Sequence, residues 1–162
     1  MDFRGILSAL VEADVDFVVV GGVGAVLEGV PMTTNDLDIV PSRGPANLER
    51  MAAVLRALDA HYRELLPERV QPAKADLSSG LHHLLQTRLG PLDILGTVQG
   101  GLDYEDLVLR SKRISLAPTL EVRVLDLRGL IELKEALGRE KDRAQLALMR
   151  TTLEARETDD RT

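Results

Sequence analysis

The chain has 162 residues, of which 44% are hydrophobic, 28% charged and only 2% aromatic, with no Trp and a formal net charge of −6. That length suits one domain around one core built from Leu, Val, Ile and Ala, and the acidic balance argues against a sequence-blind nucleic-acid coat. Cysteine is absent, which removes disulfide, zinc-thiolate and cysteine-nucleophile chemistry.

In chain order, Phe3, Ile6, Leu7, Leu10 and Val11 recur at helical spacing. Asp2, Glu12, Asp14 and Asp16 make this start unlike a signal peptide, and no apolar run approaches bilayer-spanning length. A cytoplasmic protein with no membrane contact is the expectation. "DFVVV" (16–20) predicts a buried strand that stops at Gly21-Gly22, and "VGAVLEGV" a short helix closed by Gly29 and Pro31. "LDIV" (37–40) predicts a second strand. "PANLERMAAVLRALDAHYREL" predicts a long amphipathic helix with Pro45 near its first turn.

Residues 66–80 read as a loop. "LHHLLQTR" and "LGPLDILG" read as two strands around Gly90-Pro91, and "YEDLVLRS" as a short helix. "RISLA" and "EVRVL" are two more strands. From Asp126, a plausible N-cap, the pattern is helical with a stop at Gly138. The helix between the first two strands is too short for a comfortable parallel crossover. The expected class is therefore α/β (α+β), a mixed and partly antiparallel sheet flanked by helices. Residues 1–155 are expected to form a single domain and 156–162 a polar, disordered tail.

Asp36 and Asp38 flank Leu37, so in a strand they project on one side, roughly 7 Å apart along the chain. Two like charges so placed repel unless a cation lies between them, and hard divalent ions take oxygen ligands. Asp93 in "GPLDIL" repeats the same grammar, an acid set into apolar sequence. Three acids on neighbouring strands could hold two ions roughly 3.5–4 Å apart and clamp a phosphoryl displacement. Each acid alone also suits a turn: Asp36 follows Thr34-Asn35, and Asp93 could cap the Gly90-Pro91 turn. Gly21-Gly22, between strand and helix, offers backbone N–H groups to an anion. It is neither a Walker loop nor a dinucleotide fingerprint. His61, His82 and His83 are better read as satisfied or exposed than as site residues.

"VVVGGVGAVLEGVPMTTNDLDIV" resembles the signature of the polymerase-β-type nucleotidyltransferase superfamily. With the late segment "DLRGLIELKEALGREKDRAQL" it resembles, more narrowly, the small bacterial nucleotidyltransferases grouped with the AbiEii toxin of type IV toxin–antitoxin systems. The resemblance spans about residues 3 to 150. It implies the nucleotidyltransferase fold and transfer of an NMP from an NTP to an acceptor hydroxyl, with Mg²⁺ or Mn²⁺ as cofactor. The acceptor it implies is RNA, such as tRNA, or a protein, with a cognate antitoxin or toxin as partner. By position, Asp36, Asp38 and Asp93 would be the catalytic and metal-binding acids. Gly21, Gly22 and Thr34 would contact the triphosphate, and Lys134, Lys141 and Asp142 would lie near the nucleotide. Met32 stands where many members have arginine, and Gly22 where superfamily enzymes often have serine. Lys134 also fits a lysine whose stem lies along its own helix. Two alternatives stay open: an antitoxin-type enzyme that modifies a partner protein, and a non-catalytic nucleotide- or partner-binding module of the same fold.

Overall fold

The computed structural model describes residues 1–65 and 68–159, apart from the side chains of Leu65 and Lys141. Among these residues a seven-stranded mixed sheet, in the order β3-β4-β5-β2-β1-β7-β6, carries helices on both faces. Helix α1 (Phe3–Glu12) is capped by Asp2, whose carboxylate accepts from the Gly5 N–H at 2.8 Å. It buries Ile6, Leu7 and Leu10. Strand β1 (Phe17–Val20) is buried along its whole length and passes directly into α2 (Gly21–Leu27). Strand β2 (Leu37–Pro41) returns antiparallel to β1, with Val20 opposite Asp38. A seven-residue helix is too short to carry the chain across for parallel pairing, as its length in the sequence requires.

Helix α3 (Pro45–Ala57) begins on Pro45, and Asn47 ties its start to β1 by exchanging hydrogen bonds with the Asp16 backbone at 2.7 and 2.9 Å. The long helix expected through residue 65 stops at Ala57. Asp59 turns the chain at φ 52°, and His61–Tyr62 pair as β3 with Gln86 and Leu85 of β4 (His83–Thr87). The apolar pattern continues beyond the helix because Leu58 and Ala60 are buried in the turn. A 3₁₀ turn (Arg63–Leu65) follows β3. The segment expected to be loop contains α4 (Lys74–Ser78), anchored by buried Leu77.

Strand β4 forms a hairpin with β5 (Gly90–Ile94), and β5 lies parallel to β2. Helix α5 (Tyr104–Val108) leads to the hairpin β6 (Ser111–Ala117) and β7 (Leu120–Leu125), and β7 is parallel to β1. Helix α6 (Leu127–Leu137) starts on Asp126, which accepts from the Gly129 N–H at 2.6 Å, and ends on left-handed Gly138 at φ 61°. Helix α7 (Arg143–Asp159) runs through the first four residues of the expected tail. Arg156 is held there by the buried Glu28 carboxylate at 2.7 Å, and Glu28 also pairs with Lys112 at 2.8 Å. The rest of the expected tail, 160–162, lies outside the described residues.

Alternation along the central strands divides the core. Val19, Leu37, Ile39, Leu85, Leu92 and Ile94 face α1 and α3. Val18, Val20, Val40 and Leu125 face α5, α6 and α7. The residues between Leu37 and Ile39, and between Leu92 and Ile94, therefore point to the α6–α7 side.

Candidate active site

Those intervening residues are Asp38 and Asp93. They are register partners in the parallel β2–β5 pair, so their side chains stand on one face of adjacent strands. Asp36 lies just before β2, two residues from Asp38. Together the three acids line a cleft of about 810 Å³ between the ends of the central strands and α6–α7, a volume that suits a nucleotide. Gly21, Gly22, Thr34, Lys134 and Asp142 line the same cleft, as do Arg139, His82 and Gln145. The Lys141 side chain, expected near the nucleotide, lies outside the described residues.

The diglycine is fixed by close approach. Gly21 has φ +64°, and a β-carbon there would stand 2.7 Å from Asp38 Cγ. A β-carbon on Gly22 would meet Thr34 Cβ at the same 2.7 Å. Thr34 thus fills the space that a side chain at position 22 would use, and its hydroxyl lies 3.2 Å from Asp36 Oδ1. No side chain caps α2, so its first-turn N–H groups open toward the cleft beside Asp38.

The electrostatics of the cleft are uneven. Burial, then the charges of Asp36 and Asp93, push Asp38 up to about 7 against the pull of Lys134 and Arg139. Asp93 is also raised, chiefly by burial, although Arg63 opposes the shift. Arg63 Nη2 sits 2.6 Å from Asp93 Oδ1. Across the cleft, Asp142 bridges Lys134 at 3.2 Å and Arg139 at 2.5 Å. Burial works against ionisation of Asp142, but these two cations outweigh it and hold the carboxyl below its ordinary range. Two cations gathered on one buried acid form a net positive wall across the cleft from the three acids.

Among the described residues, no three acid or imidazole groups stand close enough, as the side chains are placed, to hold a metal ion. The donor set nevertheless fits a hard divalent ion. It consists of carboxylate oxygens only, and Asp38 lies in a place where negative charge is under-compensated.

Sequence reasoning overlooked Arg139 and Arg63. Arg139 stands four residues after Glu135, the spacing of a helical ion pair, but Gly138 turns the chain out of the helix. Glu135 pairs instead with Arg150 at 2.6 Å. Arg63 carries no local signal at all, because its approach to Asp93 depends on pairing across two strands. His82 lines the cleft, with Nε2 3.0 Å from the Thr97 carbonyl, while His83 is buried and bonded to the Tyr62 hydroxyl at 2.9 Å.

No family model and no curated protein matches the chain. Solved structures do. The crystal structure of a candidate nucleotidyltransferase, TM1012 from Thermotoga maritima, is similar with a TM-score of 0.55 and 21% identity, over 90% of this chain and 88% of that one. The solution structure of the antibiotic-resistance factor ANT(2'')-Ia is similar with a TM-score of 0.61 and 14% identity, over 97% and 85%. At these identities the likeness is one of architecture, and it assigns the mixed sheet and its flanking helices to the nucleotidyltransferase fold.

Proposed function

We propose that the chain is a metal-dependent nucleotidyltransferase that moves an NMP from an NTP to an acceptor hydroxyl. The single observation behind this reading is the paired register of Asp38 and Asp93, with Asp36 beside them, next to the uncapped diglycine turn and opposite the Lys134–Arg139 wall. Like charges gathered in one cleft oppose folding unless a ligand uses them.

In this reading Asp36, Asp38 and Asp93 would hold Mg²⁺ or Mn²⁺, which when bound would supply charge neutralisation at the phosphates. The N–H groups at Gly21 and Gly22 receive the triphosphate oxygens, and the Thr34 hydroxyl, which donates to Asp36 in the nucleotide-free chain, stands beside them. Lys134 and Arg139 face the negative charge that builds on the leaving pyrophosphate. The acceptor oxygen bonds to the α-phosphorus, the bond from that phosphorus to the β-phosphate bridging oxygen breaks, and Asp93 takes the acceptor proton. Asp142 keeps Lys134 oriented as a point charge.

The reading extends to a toxin–antitoxin role with RNA such as tRNA as acceptor, supported by the likeness of the motifs to the AbiEii group. A protein acceptor is the second reading, favoured by the net charge of −6, which argues against general affinity for RNA. Purified protein incubated with each labelled NTP, Mg²⁺ and total RNA or cell extract tests both. Label on RNA supports the first and label on protein the second. Equal label transfer by wild type and Asp36→Ala, or none by either, counts against the enzyme and for a binding module.

A further inference from the structure

We propose that Arg63 is a positioning residue that competes with a divalent cation for Asp93, so that the Arg63–Asp93 pair sets how tightly the cleft takes up the ion. This rests on the metal-dependent reading above.

The three acids are not equivalent. Among the described residues, Asp93 alone of the three is held directly by a cationic side chain, with Arg63 Nη2 2.6 Å from Oδ1. Asp36 is met by the neutral Thr34 hydroxyl, and Lys134 and Arg139 make their short contacts to Asp142 rather than to Asp38. The Arg63 and Asp93 side chains are 27% and 10% exposed, so the pair is shielded from the solvent screening that empties surface ion pairs of energy. A guanidinium cannot shed its charge by losing a proton. Oδ1 of Asp93 is therefore freed only by breaking the pair, and until then an ion shares the charge of this carboxylate with Arg63. An ion entering the cleft meets two open carboxylates and a third whose oxygen is already engaged.

The arrangement comes from sheet register. Tyr62 of β3 is opposite Leu85, Leu84 is opposite Asp93, and Asp93 is opposite Asp38. Arg63, one residue past Tyr62, leaves the sheet beside this row. It is not among the residues lining the cleft, so it reaches Asp93 from outside the substrate space. The strand it follows lies at the sheet edge: β3 has two residues paired to β4, and the Tyr62 N–H donates outward to the Val70 carbonyl at 2.9 Å. Arg63 itself lies in the 3₁₀ turn after β3, outside the paired residues of β4, β5 and β2.

The test is Mn²⁺ binding to the nucleotide-free protein, read by the electron paramagnetic resonance of free Mn²⁺ in 0.15 M salt. Wild type, Arg63→Gln, Arg63→Lys, Asp93→Asn, Asp38→Asn and the Arg63→Gln/Asp93→Asn double variant are compared. Arg63→Gln is expected to bind Mn²⁺ about tenfold more tightly than wild type, because a half-buried cation no longer holds the third acid. A merely structural arginine would weaken binding when lost. In the Asp93→Asn background the same change shifts affinity by less than about twofold, since remaining charge effects are screened. If Arg63→Gln does not fold, Arg63→Lys carries the test, with a tightening of roughly threefold from its poorer carboxylate geometry. Unchanged or weaker binding in the folded Arg63 variant, or equal tightening without Asp93, overturns the proposal. Where Mn²⁺ binding depends on Asp38 but ignores Arg63, only this inference falls. Where no variant shows Asp38-dependent binding, the metal-dependent reading falls with it.

Discussion

Replacing Asp38 by Asn separates what this side chain does for stability from what it does for chemistry. Burial and the neighbouring acids raise Asp38 from 3.8 to about 7. The folded protein therefore holds this proton more tightly than the unfolded chain does. Below about pH 3.8 the group is neutral in both states and adds nothing. Between 3.8 and 7 the folded state keeps a proton that the unfolded state has released, so stability falls as pH rises. Above 7 the full penalty is present. At ~1.4 kcal/mol per decade of pH the difference approaches ~4 kcal/mol, and a working range of 2–4 kcal/mol allows for partial relaxation of the cleft.

Asn has the shape of the protonated acid, so wild type and Asp38→Asn should converge near pH 4 and diverge by roughly 2–4 kcal/mol at pH 8, the variant being the more stable. Urea unfolding at both pH values, in EDTA, reads this directly. Adding Mn²⁺ at pH 8 should stabilise wild type and leave the variant unchanged, while nucleotidyl transfer is lost. Equal stability at pH 8, or a less stable variant, would refute the claim that the acids are crowded in the folded chain.

Other substitutions probe the rest of the cleft and its frame. Gly21→Ala places a β-carbon against the Asp38 carboxylate at a positive φ. It should lower transfer at least about a hundredfold and stability by ~1–2 kcal/mol, read by turnover and urea unfolding. Asp142→Asn keeps the shape but leaves Lys134 and Arg139 without their shared counter-charge. The KM for NTP should rise about tenfold while kcat falls less, as steady-state kinetics will show. Arg156→Ala removes one of two cations from buried Glu28 and should destabilise by ~2 kcal/mol, with Glu28→Gln in the same background recovering part of the loss in thermal unfolding.

The elements legible in the sequence are those whose signals are local. The β-branched run of β1 needs no context, and α6 is marked at both ends by Asp126 and Gly138. What was missed depends on distant partners. Leu58 and Ala60 continue the apolar rhythm of α3 although Asp59 has already turned the chain. Strand β3 exists only because β4 pairs with it. Helix α7 outruns its polar composition because Arg156 meets a carboxylate 128 positions earlier in the chain.

The same division explains the cleft. The acids were legible because their spacing reports on a strand face, whereas Arg63 became visible only through register. Register is itself set by the apolar residues around the acids. Leu37 pairs with Leu92 and Ile39 with Ile94, all four buried against the α1–α3 layer. A slip of one residue between β2 and β5 would turn one of these sets out of that layer, and fully burying each such side chain is worth roughly 1.5–3 kcal/mol. For two side chains that is about 3–6 kcal/mol, comparable to or larger than the roughly 2–4 kcal/mol penalty that burial and like charge place on Asp38. The hydrophobic half of each strand thus forces two carboxylates into a proximity they would otherwise avoid. Moving the charge out of register, as in Leu37→Asp with Asp38→Leu, should then unfold the sheet rather than relocate the site.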